Sequence, residues 1–237
     1  MKTEVTEIAD RIYRLSTFVP QIGPTGFTFN QFLIDAEQPL LFHYGHRAMF
    51  PLISAAVKSV IPLEKLRWTT CSHVEGDESG ALNEWLAAAP NAVPAHGQVG
   101  INIWLTDMAN RGPRTLKNDE VLDIGGKKVR WLDTPHVPHN WDAGLIYEET
   151  TGTLFSSDLF TQMGACEATT TGDIVDAAIA TEKAVPFMPA TPLAAPTLQR
   201  LAALKPQTIA LMHGPSFKGD GSAALTALAA YYANGKN

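Results

Sequence analysis

The sequence predicts an α/β protein in which two β-sheets pack face to face and helices cover their outer faces. Strand-like and helix-like segments alternate along the chain, and this alternation occurs in both halves. No linker-like or low-complexity segment separates the halves. Sheets with one apolar face must bury it against another layer, so two such halves favour a layered sandwich. We therefore expect residues 1–237 to form one domain.

The first half is predicted to be mostly β structure. Its longest candidate strand, residues 27–34, alternates apolar and polar side chains as a half-buried strand does. The other candidate strands are residues 5–9, 11–15, 39–42 and 68–71. A helical pattern covers residues 47–59, and helical periodicity resumes at Ser79.

The second half repeats the alternation. Two hairpins are predicted around Gly125-Gly126 and Thr151-Gly152, where turn residues separate short apolar segments. The paired segments are residues 121–124 with 128–132, and residues 144–147 with 153–155. Helices are expected at about 173–185, 191–204 and 221–233, with a strand at 208–212.

Composition narrows the class of protein. Hydrophobic residues make up 45% and charged residues 18%, which is typical of a globular chain rather than a disordered one. The formal net charge of −6 and the lack of a Lys/Arg cluster argue against a nucleic-acid surface. No secretory start and no run of apolar residues long enough to span a bilayer is present, so we expect a cytoplasmic protein without membrane contact.

Potential metal ligands follow several of the predicted strands. His73, Glu75 and Asp77 alternate directly after one strand, and an extended conformation would project all three the same way. Three more candidates follow later strands, namely His139, Asp158 and His213. Because strand ends of one sheet edge lie close together, these residues jointly predict a metal site.

The segment His73-Val74-Glu75-Gly76-Asp77 resembles the His-X-Glu-X-Asp form of the metallo-β-lactamase motif, which is characteristic of flavodiiron proteins. Residues 27–33 and 155–160 are similar to two strands of that family, and Asp158 lies 19 positions after His139, an interval similar to that of the family. The resemblance covers essentially the whole chain. It implies the four-layer αββα metallo-β-lactamase sandwich.

The resemblance also implies a ligand assignment for two metal ions. His73, Glu75 and His139 would bind the first ion and Asp77 and His213 the second, with Asp158 as the bridge between them. Glu78 stands where the family often has histidine. Three roles are open for Glu78: it ligates a metal, holds a bound water, or points away. No catalytic residue beyond the metal ligands is expected.

Iron is the expected metal because carboxylates are hard, anionic ligands. A zinc hydrolase site with histidine in place of Glu75 would carry one negative charge fewer. Manganese and zinc are the alternatives.

Neighbouring residues are expected to support the ligands or to remain structural. His136 is the competitor of His139, and it is expected to donate to the ligands if His139 binds metal. Asp142 either orients His139 or caps a turn, and His43 is structural or adjacent to the ligands. His96 is expected near a helix cap. Three further side chains are candidates for lining the metal pocket: Trp141, Phe160 and Met163.

The resemblance implies a di-iron protein that binds O2 or NO, as an oxygen reductase component or as an oxygen or iron sensor. No flavodoxin-like segment or phosphate-binding glycine loop occurs in the sequence, so we expect no flavin in this chain and an electron-donor protein in trans. A homodimer is implied only by relatives that pair.

Two other functions are open, as is the question of whether the protein is an enzyme. The first is a binuclear Zn, Mn or Fe metallohydrolase acting on an ester, thioester, lactam or phosphodiester. The second is a metal-stabilised interaction protein without small-molecule chemistry.

Overall fold

Two seven-stranded sheets dominate the computed structural model, which describes residues 1–235. The first sheet contains, in spatial order, β1 (Thr3–Ala9), β2 (Ile12–Val19), β3 (Phe27–Ile34), β4 (Leu40–Phe42), β5 (Trp68–Thr70), β6 (Val93–Gly97) and β7 (Arg114–Leu116). Strands β1 to β4 pair antiparallel, and β4 to β7 pair parallel. The parallel strands therefore end at one edge of the sheet.

The second sheet is formed by the later strands, which are β8 (Val121–Asp123), β9 (Lys128–Asp133), β10 (Gly144–Glu148), β11 (Thr153–Ser157), β12 (Thr169–Thr170), β13 (Thr208–Leu211) and β14 (Ser216–Lys218). Their spatial order is β12-β14-β13-β11-β10-β9-β8. Strands β8 to β11 form an antiparallel meander, and β13 then joins β11 in parallel.

Helices lie between the strands in sequence. They are α1 (Phe50–Lys58), α2 (Gly76–Ser79), α3 (Leu82–Ala88), α4 (Gln98–Gly100), α5 (Thr106–Met108), α6 (Val175–Ala184), α7 (Ala194–Ala202) and α8 (Gly221–Ala233). Helix α8 begins at a cap, where the Asp220 carboxylate accepts a hydrogen bond from the backbone of Ala223 at 2.9 Å. No helix within residues 1–235 is both long enough and apolar enough to cross a membrane.

The buried side chains form three apolar layers that separate four layers of secondary structure. Between the sheets, Phe155 contacts Phe32 and Phe42, with ring centroids 5.4 and 5.6 Å apart. Their sequence neighbours, such as Leu33 and Leu154, point to the opposite faces and pack under the helices. This alternation is the two-residue period of a strand buried on both faces. The αββα sandwich predicted from the sequence is confirmed.

The predicted elements differ from the observed ones mainly where strands are short. Strands β6, β7, β12 and β14 were not predicted, because each has at most five residues and β6 contains proline and glycine. Helical structure also begins earlier than Ser79, at Gly76, where α2 opens. The missed strands β6 and β7 extend the first sheet beside the candidate site.

Gly144 provides a test of packing next to the site. A Cβ atom on Gly144 would lie 2.1 Å from the Trp131 ring, which is held in place by its indole N–H donating to Asp133 at 2.7 Å. We expect Gly144→Ala to lower the free energy of unfolding by about 1–3 kcal/mol, measured by urea denaturation. Gly112→Ala is the control, because its Cβ would meet nothing within 4 Å. Equal losses in both variants would contradict this account.

Candidate metal centre

The predicted ligands lie at the ends of strands from both sheets. His73 follows β5 in the first sheet, whereas Asp158 and His213 follow β11 and β13 in the second. His139 lies in the loop between β9 and β10. Since the sheets pack face to face, these loops meet at one edge of the sandwich, where a binding site can form without interrupting the core.

Seven side chains meet there in two groups, and within each group the potential ligand atoms lie within 4.8 Å of one another. The first group is His73, Glu75, His139 and Asp158, and the second is Asp77, Glu78 and His213. The sequence named all seven residues. Their grouping matches the assignment implied by the family resemblance, with Glu78 added to the second group.

Asp158 lies between the two groups. Its Oδ2 atom is 2.9 Å from His139 Nε2 and 3.4 Å from His73 Nε2, both in the first group. Its Oδ1 atom is 3.3 Å from His213 Nε2, in the second group. One carboxylate therefore presents one oxygen to each group, which is the geometry that a bridging ligand requires.

Two glutamates complete the cluster from opposite sides. Glu75 is half-exposed, and its Oε2 atom lies 3.3 Å from His73 Nε2 and 3.4 Å from His139 Nε2. Glu78 is buried, and its Oε2 atom lies 3.8 Å from His73 Nε2. Of the three roles open for Glu78, pointing away does not describe this geometry, because its side chain is directed into the cluster.

The extended geometry expected for residues 73–77 is wrong at Asp77. Glu75 has extended backbone dihedrals and caps α2, and Asp77 lies within that helix. The change of backbone conformation separates the three side chains, so that His73 and Glu75 join the first group while Asp77 faces His213 at 3.4 Å. A short helix thus distributes one sequence motif over two groups.

Each histidine directs Nε2 into the cluster and anchors its Nδ1 atom elsewhere. His213 Nδ1 donates to the Thr28 backbone carbonyl at 2.8 Å. His73 Nδ1 lies 2.9 Å from Ser72 Oγ, and His139 Nδ1 lies 3.2 Å from Asn140 Oδ1. Such contacts fix the ring orientation and the tautomer of a metal-binding histidine. No sequence pattern had pointed to these three supporting residues, Thr28, Ser72 and Asn140.

His43 supports the cluster indirectly. Its Nε2 atom lies 3.1 Å from Ser72 Oγ, which in turn contacts His73 and, at 2.7 Å, Ser157 Oγ. Burial lowers the pKa of His43 to about 3, so the ring is neutral at physiological pH. The prediction placed His43 next to the ligands, and the structure separates it from His73 by one hydroxyl group.

Asp142 does not contact His139, contrary to one of its two predicted roles. Its buried Oδ2 atom accepts hydrogen bonds from the Val74 backbone N–H at 3.0 Å and from Trp104 Nε1 at 2.8 Å. The Val74 carbonyl accepts a hydrogen bond from Asn140 Nδ2 at 3.1 Å. Both the N–H and the carbonyl of Val74, which lies between His73 and Glu75, are therefore hydrogen-bonded to the loop that carries His139.

Two other histidines lie outside the groups. His136 is partly exposed and has a positive φ of 64°. Its backbone N–H donates a hydrogen bond to the Asn140 carbonyl, and its ring belongs to neither ligand group. His96 lies near a helix cap as expected, since it directly precedes Gly97, the N-cap residue of α4. It belongs to β6 and is fully buried between Trp104 and Trp131. Its Nε2 atom lies 3.9 Å from Asp142 Oδ2.

Protons balance the negative charge of the cluster as long as no cation does. Burial opposes a charge on His213, but the carboxylates of Asp158 and Asp77, 3.3 and 3.4 Å from its Nε2 atom, outweigh it and raise the pKa of His213 to about 10. The same competition, dominated by Asp158, raises the pKa of His139 to about 9. Burial and the charges of Asp158 and Asp77 raise the pKa of Glu78 well above its usual range. Metal ions would displace these protons.

The residues present fit two metal ions. Buried carboxylate oxygens of Glu78 and Asp158 (Oε2 and Oδ1) have no hydrogen-bond partner, an arrangement that costs free energy unless a cation or water satisfies them. Three neutral imidazoles and four carboxylates form a mixed N/O donor set suited to first-row transition metals. The two groups can hold one ion each, with Asp158 between them.

A cavity of about 180 Å³ opens onto the cluster. Phe27, Met163, Val185 and Phe187 give it a largely apolar lining, and the Phe27 ring stacks on His213 with centroids 4.2 Å apart. Of the three lining candidates named from the sequence, only Met163 lines it. Phe160 is buried in the core under the helices, and Trp141 is largely exposed.

Residues 27–214 match the sequence profile described as ODP family beta lactamase. The chain belongs to this family. The match includes every side chain of the two groups and most of both sheets, so it confirms the family resemblance stated from the motif.

Relatives with similar sequences are flavoproteins and oxidoreductases. The putative diflavin flavoprotein A 1 of Nostoc sp. is 32% identical over 138 residues, which are 57% of this chain and 24% of that protein. The coenzyme F420H(2) oxidase of Methanothermobacter marburgensis is 28% identical over 60% of this chain and 36% of that protein. The anaerobic nitric oxide reductase flavorubredoxin of Pectobacterium atrosepticum is 27% identical over 58% of this chain and 27% of that protein. The chain thus spans about a quarter to a third of these relatives.

Solved structures with the same fold are flavodiiron proteins. The flavodiiron protein from Giardia intestinalis superposes with a TM-score of 0.86 at 18% identity, covering 99% of this chain and 60% of that one. Rubredoxin oxygen:oxidoreductase from Desulfovibrio gigas superposes with a TM-score of 0.82 at 20% identity, covering 97% and 62%. The chain therefore has the metallo-β-lactamase fold of flavodiiron cores.

Replacing Asp142 tests whether its hydrogen bond to the Val74 backbone aligns the metal ligands on the two loops. We expect Asp142→Ala to weaken metal binding by about 10–100-fold, because the Val74 N–H loses its acceptor and the first group loses its alignment. Competition with a chromophoric chelator measures the affinity. Asp142→Asn keeps an acceptor oxygen and should recover part of the loss. Unchanged affinity in the alanine variant would show that this hydrogen bond does not align the ligands.

Asp158 provides the test of bridging. We expect Asp158→Ala to reduce the metal content of the loaded protein from about two ions per chain to one or none, because both groups lose a shared oxygen ligand. Elemental analysis after gel filtration measures the content. His136→Ala is the matched control and should retain both ions. Two tightly bound ions in Asp158→Ala would show that Asp158 is not the bridge.

Proposed function

We propose that the cluster holds two iron ions and binds O2 or NO, as an oxygen-reducing component or as a sensor. The observation that carries the proposal is the position of Glu75, whose carboxylate occupies the first group between His73 and His139. Together with Asp158, Asp77 and Glu78, it gives the site four carboxylates for two cations. Two of the relatives are named as an oxidase and a nitric oxide reductase, which supports the proposal. This chain spans only part of those proteins, so their complete activities are not assigned to it.

The donor set favours iron. Carboxylate oxygens are hard ligands that stabilise higher oxidation states, whereas imidazole nitrogen in place of Glu75 would suit zinc equally well. Zinc has no redox chemistry, and its catalytic sites are commonly formed by three protein ligands. Manganese shares the preference for oxygen ligands and is the second choice for the site.

The size and lining of the cavity favour a small, neutral ligand. Its volume of about 180 Å³ lies below the range of about 300–1,000 Å³ that is common for sites of larger organic ligands. The apolar side chains of Phe27, Met163 and Phe187 offer no hydrogen bond to an ester, a lactam or a phosphodiester. O2 and NO need none.

The side chains around the cluster then have defined tasks. Asp158 would hold both ions through its two oxygens, while the Thr28 carbonyl and Ser72 keep the rings of His213 and His73 aligned. Phe27 and Phe187 limit the access of water. The ferrous ions, when bound, would supply electrons to the gas.

Catalytic turnover requires an electron donor. Complete reduction of O2 to water consumes more electrons than two ferrous ions release as they become ferric. We propose that a flavin- or iron-containing redox protein supplies them, in line with the flavoprotein relatives. A sensor would need only slow re-reduction, so the rate of turnover with a donor distinguishes the two uses.

Anaerobic loading with iron, followed by exposure to O2, tests the proposal. We expect about two irons per chain and a new charge-transfer absorption band after O2 is added, because an oxygen-rich ligand set stabilises ferric iron. Asp158→Ala, treated identically, is the control and should give neither full loading nor the band. Oxygen consumption with a chemical electron donor then measures turnover.

The opposite outcome has a specific signature. Protein that retains zinc in preference to iron, shows no spectral response to O2, and rapidly hydrolyses ester or phosphodiester substrates would exclude the di-iron proposal. It would establish the binuclear hydrolase in its place.

A further inference from the structure

Cys166 lies beside a buried arginine of β2, in the first sheet. The Arg14 guanidinium donates a hydrogen bond from Nη2 to Cys166 Sγ at 3.4 Å and to the Gly214 carbonyl at 3.1 Å. Arg14 is only 3% exposed, whereas Cys166 is exposed. A surface thiol thus meets a positive charge that lies beneath the surface.

The charge of Arg14 lacks an anionic partner. Within residues 1–235, no carboxylate forms an ion pair with Arg14, and its buried Nε atom has no hydrogen-bond partner. Burial lowers the pKa of Arg14, and the neighbouring Cys166 and, to a smaller extent, the charge of Glu4 oppose that shift. Because an unpaired buried charge is costly, this guanidinium favours an anion at the position of the thiol.

Reactants can approach the sulfur from solvent. A cavity of about 410 Å³ is lined by both residues, and Ser16 and Thr28 contribute hydroxyl groups to it. Three exposed charged residues, Lys2, Glu4 and Glu167, also line it. The other cysteine, Cys71, differs in both respects, because it is fully buried and no arginine contacts it.

We infer that Cys166 is a modification site: its sulfur, held beside the buried Arg14 guanidinium, is oxidised by hydrogen peroxide. The sulfur attacks one peroxide oxygen, so that an S–O bond forms and the O–O bond breaks. The sulfur loses two electrons to the peroxide, and the departing hydroxide takes a proton from solvent to become water. The product is a sulfenic acid, whose oxygen can accept a hydrogen bond from the same guanidinium.

The modified residue would lie two contacts from the candidate metal centre. Arg14 holds the carbonyl of Gly214, which follows His213 directly. On the other side, Cys166 Sγ lies 3.9 Å from the hydroxyl of Thr28, whose backbone carbonyl accepts the His213 Nδ1 hydrogen bond. The inference itself concerns the reactivity of the thiol and does not depend on which metal the cluster holds.

The experiment measures sulfenic acid formation on the full chain loaded with zinc, which does not consume peroxide. Hydrogen peroxide is added, the product is trapped with dimedone, and the labelled cysteine is identified by mass spectrometry over time. We expect Cys166 in the folded protein to react about tenfold faster than in the same protein unfolded in urea. Arg14→Gln should abolish the difference, and Arg14→Lys should retain part of it.

Controls and contrary outcomes are clear-cut. Cys71→Ser should label at the wild-type rate, and Cys166→Ser should not label. A folded-state rate at or below the unfolded-state rate, or labelling of Cys71 instead, would overturn the inference. The comparison of folded and unfolded wild-type protein decides the question even if Arg14→Gln does not fold, and Arg14→Lys then provides the second test.

Discussion

The structure depends on the Asp158 carboxylate, which presents one oxygen to each of two ligand groups. Six other potential ligands are arranged around it by segments that follow strands of two different sheets, so the sheets must pack in a fixed register for the groups to meet. The aromatic contacts of Phe155 with Phe32 and Phe42 between the sheets set that register three residues before Asp158. Core packing and site geometry are therefore parts of one constraint, because a close-packed interior transmits small shifts.

The cluster illustrates how a protein concentrates negative charge without losing stability. Burial alone would disfavour every charged form, and the raised pKa values of His139 and His213 show that paired histidines absorb the excess charge as protons. Metal ions would replace those protons and satisfy the buried oxygens of Glu78 and Asp158. A cavity of about 180 Å³ with a largely apolar lining opens onto these carboxylates and imidazoles.

A second polar arrangement lies away from the cluster and uses a different principle. Arg14 is buried without a carboxylate, and the thiol of Cys166 occupies the place where an anion is favoured. Both arrangements contact the segment around His213, one through its ring and the other through Gly214. The candidate metal centre and the buried guanidinium thus contact one loop, residues 213–214.

Sequence patterns predicted the fold class and identified the seven side chains that form the two groups, and the types of these side chains led to the expectation of iron. Those properties reside in local patterns: strand periodicity, a compact motif and the chemical type of each ligand. Which of these side chains become neighbours depends on long-range packing and is seen in the tertiary structure alone. In the structure, a short helix separates Asp77 from His73, and the buried Glu78 side chain points into the cluster. The Asp142 carboxylate accepts a hydrogen bond from the Val74 backbone N–H instead of contacting His139. These outcomes depend on contacts between residues far apart in the chain, which no local pattern encodes.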